Sequence, residues 1–168
     1  GTHSRHGKWM ERNAMDFEIR EARPSDGDAM LLLMPRLAEF DVPDRRDPEH
    51  LWRDDAKLLQ CWIDGDEECL VHVAVSREQQ VLGFTLTRIR PEPLSQEPSA
   101  HLEAIAVDRA AEGKGVAKAL LAATEESASE HGAESMTLHV ISTNERARQI
   151  YEHAGYFCEL VRYIKDLK

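Results

Sequence analysis

The chain has 168 residues, the size of one ordinary domain. Its hydrophobic content of 42% and charged content of 31% are typical of a globular protein in water, and no apolar run approaches the roughly 20 residues of a bilayer span, which excludes a membrane protein. The formal net charge of −10 disfavours nucleic acid and anionic membranes as partners and is compatible with a cationic substrate.

The cysteines and the first residues bear on the compartment and on the domain boundary. Cys61, Cys69 and Cys158 are widely spaced, without a CxxC pair or a zinc-like spacing to histidine, which predicts a reduced, cytoplasmic protein with no metal site. Residues 1–15 show no periodicity and no apolar stretch like that of a signal peptide. We therefore expect a disordered arm or the remnant of an affinity tag there, and one folded domain over residues 16–168.

After this arm, the chain has the pattern of a strand followed by a helix. From Phe17 the sequence FEIREA alternates apolar and polar residues, which predicts the strand. Ser25 stands three residues before Asp28, as in a capping box, and predicts where the helix starts. Pro35 lies late in that helix and should bend or break it near Met34.

A second helix is predicted after a polar loop. Asp47 and Pro48 suit its N-cap and first turn, and helical periodicity continues to about Trp62. Because the loop at 35–50 joins two helices, it is a candidate for substrate contact. One face of the second helix, which we expect to be half buried, carries Leu51, Asp55, Leu58 and Trp62.

The middle of the chain predicts three strands and a long helix. The β-rich runs CLVHVAV and QVLGFTLTRIR, separated by residues 76–79, indicate an antiparallel hairpin. A proline-bearing loop at 91–100 leads into a strand at 101–107. An amphipathic helix follows and ends at Gly132.

The last part of the chain predicts a strand, a helix and a final strand. SMTLHVI covers 135–141, the helix runs from Thr143 to Ala154 and ends at Gly155, and FCELVRYIK forms the last strand. With hairpins early and crossovers late, the order of elements predicts an α/β fold of the α+β type. Its mixed, mostly antiparallel sheet of about six strands should be flanked by helices.

A glycine-bearing turn, DRAAEGKGVA, joins the strand at 101–107 to the next helix. Free backbone N–H groups and the helix dipole favour an anion at such a place, and Gly113 and Gly115 permit close approach of the backbone to a ligand. The turn matches neither GxxxxGK[ST] nor GxGxxG, which disfavours mononucleotide and dinucleotide sites.

Two blocks of the sequence, HLEAIAVDRAAEGKGVAKALL and LHVISTNERARQIYEHAGYF, resemble the GNAT superfamily of N-acetyltransferases. The resemblance covers about residues 17–166. It implies that acetyl-CoA is the cosubstrate and that the strands at 101–107 and 135–141 splay apart to admit it.

The resemblance also assigns coenzyme-binding residues. The edge of the strand at Ile105, Ala106 and Val107 is expected to pair with the pantetheine arm, as if a short strand were added there. Backbone N–H groups are expected to hold the coenzyme A pyrophosphate at Gly113, Lys114, Gly115, Val116 and Ala117.

One position departs from the coenzyme-binding signature of the family. Gly115 and Ala117 meet the pattern of Gln or Arg, two residues, Gly, one residue, Gly or Ala, but Glu112 occupies the Gln/Arg position. A carboxylate beside a pyrophosphate repels it by roughly 1 kcal/mol at surface-like dielectric. We therefore expect weaker coenzyme binding than Gln or Arg would give, with Lys114 and Lys118 offsetting part of the charge.

Amine acylation by a thioester requires a neutral amine, a proton acceptor and a group that serves the departing thiolate. In the family a tyrosine on the last helix often serves the sulfur, and Tyr151 stands seven residues after Asn144, two turns along one helical face. The resemblance implies that Asn144 holds the coenzyme near its pantetheine or acetyl end. Alternatively, Tyr151 is a core residue and Asn144 supports only the turn, where Ser142 and Glu145 can form a capping box.

Two residues are candidates for the general base. Glu103 should share a strand face with Ile105 and Val107, toward the thioester, and the resemblance places an acidic group there. His139 on the next strand is the rival, because imidazole titrates near neutral pH. Either residue can instead be a partly buried polar side chain with a hydrogen-bond partner.

These residues together predict an acetyltransferase that moves the acetyl group of acetyl-CoA to a primary amine, first of all of a small molecule, by direct attack. The amine should enter past the loops at 35–50 and 91–100. The alternatives are a protein N-terminal or lysine acetyltransferase and, in another class, a non-catalytic sensor or interaction module that binds coenzyme A. The sequence leaves a homodimer open.

Overall fold

A five-stranded sheet forms the centre of the fold in the computed structural model, which describes residues 16–168. The expectation for residues 1–15 lies outside that range. The strands, in chain order and in spatial order, are β1 (Glu18–Glu21), β2 (Leu70–Val75), β3 (Val81–Pro91), β4 (Pro98–Val107) and β5 (Ser135–Leu138). The α-helices are α1 (Gly27–Leu33), α2 (Arg53–Ile63), α3 (Val116–Glu130) and α4 (Glu145–His153). Short 3-10 turns cover Pro24–Asp26, Met34–Ala38, Pro48–Leu51 and Arg109–Ala111.

The sheet is antiparallel except at one end. Strands β1 to β4 pair antiparallel with their neighbours, whereas β5 pairs parallel with β4 after the crossover through α3. This arrangement confirms the predicted mixed, mostly antiparallel sheet with flanking helices, with five strands in place of about six.

Helices cover both faces of the sheet. Helices α1 and α2 bury one face, where the largest fully enclosed side chains include Met30, Met34, Leu59, Phe84 and Leu86. Helix α3 covers the other face, where Val116 and Leu120 pack with Ala74, Leu82 and Ala111. Burial of these two apolar layers, at about 25 cal/mol per Å² of apolar surface, is the main stabilising term of the fold. Among residues 16–168, no helix is both long and apolar enough to cross a bilayer.

The first helix begins and ends differently from its sequence pattern. It breaks at Leu33, as Pro35 predicts, and continues as a 3-10 turn. The predicted capping pair of Ser25 and Asp28 is wrong, because the Asp26 carboxylate accepts the Arg23 N–H at 2.7 Å and also pairs with Arg20. The second helix begins later than its pattern predicts. The Asp47 carboxylate caps the Pro48–Leu51 turn by accepting the Glu49 N–H at 3.0 Å, and α2 itself starts at Arg53 and ends near the predicted position.

A bulge in β4 changes the direction of its side chains. Leu86 of β3 stands opposite Ala104, but the next residue, Thr87, stands opposite Leu102, so that Glu103 is an extra residue in the strand. A bulge of this kind shifts the in-and-out alternation by one position. The expectation that Glu103 shares a face with Ile105 rested on unbroken alternation, and it is wrong.

The strand predicted at FCELVRYIK is absent from the described chain. Residues 157–168 run without secondary structure and are exposed, with exposed fractions of 81% at Phe157 and 90% at Tyr163. Strand propensity forms no ladder without a neighbouring edge, and the segment leaves the edge of β5 after Tyr156. β5 is also shorter than predicted, since it ends at Leu138.

Candidate active site

A turn with two left-handed glycines joins β4 to α3. Gly113 has a φ of 73° and Gly115 a φ of 84°, a conformation that residues with a Cβ rarely adopt. A Cβ added at either glycine meets no described atom within 4 Å, so the space in front of the turn is open. Helix α3 begins directly after Gly115 without a side-chain cap, which leaves its first N–H groups available to an anion. The turn at 113–117 therefore fits a diphosphate.

The two parallel strands at the end of the sheet stop pairing beside this turn. β4 and β5 pair only from Ser99 opposite Ser135 to Leu102 opposite Leu138. Beyond that point the edge of β4 at residues 103–107 has no strand partner among residues 16–168. This edge is open because β5 itself ends at Leu138, and the splay of two longer strands stays a prediction.

Backbone groups on this open edge point into the gap. The Asp108 N–H donates to the Leu82 carbonyl of β3 at 2.7 Å. Because backbone groups alternate in direction along a strand, those of Ala106 also face β3, whereas those of Ile105 and Val107 face the open side. Of the three predicted edge residues, Ile105 can pair with an extended amide-bearing arm through both backbone groups and Val107 through its N–H, because the Val107 carbonyl accepts from Arg36 Nε.

The Glu112 carboxylate at the departing signature position is paired with two arginines. Arg36 donates to Glu112 Oε1, and Arg146 Nη1 donates to Oε2 at 2.9 Å. Burial by itself would raise the pKa of Glu112, but the hydrogen bonds and charges of the two guanidinium groups bring it below its usual value. The structure therefore compensates the negative charge that the sequence places beside the glycine turn.

These pairs belong to a larger ion network. Arg36 also donates from Nε to the Val107 carbonyl at 2.9 Å and pairs with Glu39, which in turn pairs with Arg109. The network joins the Met34–Ala38 turn, the end of β4 and the start of α4. Its three guanidinium groups exceed its two carboxylates by one positive charge, a sign that suits an anionic ligand.

Helix α4 carries the two residues predicted beside the reacting thioester. Asn144 is its N-cap, with Oδ1 accepting the Ala147 N–H at 3.3 Å, so Asn144 caps the helix in place of the Ser142 and Glu145 pair. Burial raises the pKa of Tyr151 to about 12, and its ring meets that of Tyr156 edge-on at 6.1 Å. Tyr151 therefore keeps its hydroxyl proton at neutral pH.

The bulge leaves Glu103 on the α2 side of β4, near enough for its charge to act on Asp55. Arg90 Nη1 lies 4.0 Å from Glu103 Oε1, which is buried and has no hydrogen-bond partner among residues 16–168. Burial raises the pKa of Asp55 to about 7, and the charges of Glu103 and Asp54 add to that shift. The pair of carboxylates stands on the α2 side of β4, which is opposite to the side predicted.

Two histidines lie beside the point where β4 and β5 part. His101 Nδ1 is 2.7 Å from Thr137 Oγ1, and its ring centroid is 4.8 Å from that of His139. Burial, with the charges of Arg90 and His139, lowers the pKa of His101 to about 4, so its ring is neutral at physiological pH. His139 itself is exposed just beyond the end of β5. Residues 16–168 contain no cluster of three or more His, Cys, Asp or Glu side chains that could hold a metal ion.

Sequence reasoning missed three charged residues at this site. Asp55 had a visible signal, because it is a carboxylate on the otherwise apolar face of α2. Arg36 and Arg146 had no such signal in the sequence, because they lie 76 and 34 residues away from Glu112 along the chain.

A mostly antiparallel sheet flanked by helices, with a left-handed glycine turn beside an open strand edge, is typical of the class of proteins that bind acyl-coenzyme A. The family model of the acetyltransferase (GNAT) family matches residues 34–156, which is most of the chain. The chain belongs to this family.

Relatives of known sequence match only part of the chain. The uncharacterized N-acetyltransferase YdgE of Bacillus subtilis is 36% identical over 76 residues, 45% of this chain and 48% of that protein. The catalytic subunit ard1 of the N-terminal acetyltransferase A complex of Schizosaccharomyces pombe is 31% identical over 89 residues, 52% of this chain and 50% of that protein. The chain thus spans about half the length of these curated relatives.

The solved structures resemble the chain over nearly its full length. An aminoglycoside N-acetyltransferase in complex with coenzyme A superposes with a TM-score of 0.66 and 19% identity, covering 91% of this chain and 96% of that chain. At this identity the likeness concerns the fold.

Proposed function

We propose that the protein transfers the acetyl group of acetyl-CoA to a primary amine by direct attack. The observation that carries the proposal is the parting of β4 and β5 after Leu102, directly beside the left-handed glycine turn. An open strand edge and a group of free N–H donors, side by side, suit the two ends of one ligand that has an amide-bearing arm and a diphosphate.

The coenzyme would lie along these features. The N–H groups at 113–117 bind its diphosphate, and the backbone of Ile105 and Val107 pairs with its pantetheine arm. Arg36 and Arg146 stand beside the turn and supply the positive charge that Glu112 does not. Asn144, at the start of α4, would lie near the thioester end.

In the proposed reaction the amine nitrogen attacks the thioester carbonyl carbon. The C–N bond forms as the C–S bond breaks, so that one proton leaves the amine and one proton reaches the sulfur. Glu103 lies on the α2 side of β4, where we place the entering amine, and it accepts the first proton directly or through water, with His139 as the alternative base. Tyr151 donates the second and regains a proton from solvent. No covalent intermediate on the protein is needed.

A cationic small-molecule amine is the acceptor that the charges favour. Asp55 and Glu103 both lie on the α2 side of β4, near enough for the charge of Glu103 to add to the raised pKa of Asp55, and an ammonium group would be attracted there before it loses its proton. The aminoglycoside acetyltransferase among the structural neighbours acts on an acceptor of this kind, which supports the choice. A protein N-terminus, as for the fission-yeast relative, is the second candidate.

Thiol release from acetyl-CoA tests the proposal. The purified chain is assayed with polyamines, aminoglycosides, amino acids and peptides that have free N-termini, each identified product being checked by mass spectrometry. We expect turnover with a polycationic small molecule and its loss in Glu103→Gln. Glu126→Gln, which removes an exposed carboxylate from α3, is the matched control and should keep full activity. Coenzyme binding without turnover on any acceptor would instead indicate the sensor class, and turnover on peptides alone the second candidate.

A further inference from the structure

The proton balance of acetyl transfer calls for more than one proton acceptor. A cationic acceptor enters as an ammonium ion with three protons on its nitrogen, and the amide product keeps one of them. One proton has to leave before attack, to free the lone pair, and another leaves as the C–N bond forms. A carboxylate that holds the earlier proton cannot take the later one, so a second acceptor beside Glu103 would serve the reaction.

Asp55 lies on the face of α2 that packs on the sheet. Trp52 and Leu59, one helical turn to either side of it, belong to the apolar core that also contains Ala104 of β4, the residue after Glu103. Asp55 itself is half buried among these apolar side chains. The helix therefore places one carboxylate beside the strand that carries the other.

The surroundings of Asp55 oppose its negative charge. Burial is the largest cause, and the charges of Glu103 and Asp54 add to it, so that the pKa of Asp55 rises to about 7. Among residues 16–168, no cation acts on this pKa in the other direction. His101, two positions before Glu103 on β4, is neutral at physiological pH and adds no charge.

The arginines of β3 on this side of the sheet pair with other carboxylates. Arg90 Nη1 stands 4.0 Å from Glu103 Oε1, and Arg88 Nη2 stands 3.6 Å from Glu67 Oε2. Within the described chain Asp55 is therefore left without a compensating charge, which an ammonium group would supply.

A carboxylate in this state is a better base than an ordinary aspartate. A general base is most effective when its pKa lies near the working pH, and an unperturbed aspartate, with a pKa of about 4, is too weakly basic for an alkylammonium group. Burial brings Asp55 closer to that group. Because an uncompensated, half-buried carboxylate makes the fold less stable, its presence in a cleft beside a second carboxylate is typical of a functional site.

We propose, on the basis of the proposed acetyl transfer, that Asp55 takes the proton that converts the bound ammonium ion to the neutral amine, whereas Glu103 takes the proton released on attack. An N–H bond of the ammonium ion breaks as an O–H bond forms on Asp55, and the freed lone pair attacks the thioester carbon. Both carboxyl groups then return their protons to solvent. One of these protons restores the Tyr151 hydroxyl, so each turnover releases one proton.

The test varies the basicity of the acceptor. Putrescine enters as an ammonium ion at neutral pH, whereas difluoroputrescine has a weakly basic amine beside its fluorinated carbon, and this amine enters already neutral. Asp55→Asn should lower kcat/KM by about 100-fold for putrescine and by less than about threefold for acetylation of the weakly basic amine. Asp66→Asn, which removes an exposed carboxylate just after α2, should leave both values unchanged. With the weakly basic amine, the pH dependence of kcat/KM reports Glu103 alone.

A second readout requires no acetyl transfer. Carbon-13 NMR of aspartate-labelled protein with coenzyme A follows the Asp55 carboxyl signal, which is assigned by its loss in Asp55→Asn. Putrescine should lower the midpoint of its titration by about one pH unit or more, because a nearby ammonium group favours the carboxylate. The signal of Asp66 should keep its midpoint.

Two results would overturn the role of Asp55. Equal losses of kcat/KM with both acceptors in Asp55→Asn would show that Asp55 binds or orients the amine without taking its proton. An Asp55 signal that putrescine does not move would place the ammonium ion elsewhere. Without thiol release on any amine, the acetyl transfer and this proton step are both overturned, so failure of the proposed function is distinguishable from failure of the assignment to Asp55.

Discussion

Arg146 Nη1 donates to Glu112 Oε2 across 2.9 Å and thereby joins the start of α4 to the glycine turn. Glu112 holds the signature position that Gln or Arg occupies in the family, and the structure balances its charge with Arg146 and Arg36. The helix of the predicted acid and the turn of the predicted diphosphate site are therefore held by one ion network.

This balance predicts a coupling between Glu112 and Arg146. Because two guanidinium groups already offset the carboxylate, Glu112→Gln should raise acetyl-CoA affinity by no more than about threefold. Arg146→Gln should lower it by about tenfold, since the carboxylate then repels the diphosphate more strongly. In the double variant the loss should be smaller than the roughly threefold deficit that independent effects would leave, because the carboxylate that Arg146 balances is then absent. Calorimetric dissociation constants of the four proteins check this, and additive effects would contradict the coupling.

Tyr151→Phe should lower kcat by tenfold or more and leave coenzyme affinity nearly unchanged. The hydroxyl is needed only when the thiolate departs, whereas the ring continues to pack. Tyr156→Phe is the matched control, because it removes a buried hydroxyl that bonds Glu125 and so affects stability more than turnover. An unaltered kcat in Tyr151→Phe would remove this residue from the mechanism.

The base is identified by the pH dependence of kcat/KM. Protonation of the general base causes the fall in kcat/KM at low pH, so replacing that base should abolish the fall. We expect this in Glu103→Gln and not in His139→Gln, because His139 is exposed beyond the end of β5. If both variants retain the profile of the unaltered protein, deprotonation of the amine in solution is sufficient.

Asp55 should make the fold less stable as pH rises. Its pKa of about 7 in the folded state exceeds the value near 4 of the unfolded chain, so the folded state binds the extra proton and this advantage is lost between about pH 4 and pH 7. The effect of Asp55→Asn on the free energy of unfolding should therefore be about 1 to 2 kcal/mol more favourable at pH 8 than at pH 5. This figure is reduced to allow for the partial exposure of Asp55. Denaturant unfolding at both pH values measures this.

The exposed Asp66 provides the control for that measurement. Asp66→Asn removes a carboxylate just after the end of α2, and Asp66 is not among the charges that raise the pKa of Asp55. Equal effects of the two substitutions at pH 5 and pH 8 would show that Asp55 is not destabilised by its surroundings.

The sequence predicted the elements better than it predicted side-chain directions. Local signals were sufficient for the break after Leu33, the hairpin and the turn at Gly113 and Gly115, because proline and glycine act through their own backbone. The direction of Glu103 depends on a bulge, which leaves no clear mark in the alternating pattern. The prediction of a final strand was wrong for a related reason. A strand needs a neighbouring strand edge to pair with, and a local sequence pattern does not show where that edge lies.

The charged residues around Glu112 illustrate the same limit. The sequence shows one departure from the family signature, at Glu112. From it we predicted that the carboxylate repels the coenzyme diphosphate. The compensating groups, Arg36 and Arg146, come from a 3-10 turn and a helix distant in sequence, so only the fold brings them together.

Titration of acetyl-CoA into Gly115→Ala and Gly132→Ala tests the central claim most directly. Both glycines have positive φ values, 84° and 91°, and open space for a Cβ, so each substitution should cost a similar 1 to 2 kcal/mol or so of stability. Only at Gly115 does the new methyl group stand where the diphosphate would approach the backbone. We expect at least a tenfold loss of affinity in Gly115→Ala and none in Gly132→Ala. Equal affinities in both variants, or no binding by the unaltered protein at millimolar acetyl-CoA, would contradict the account.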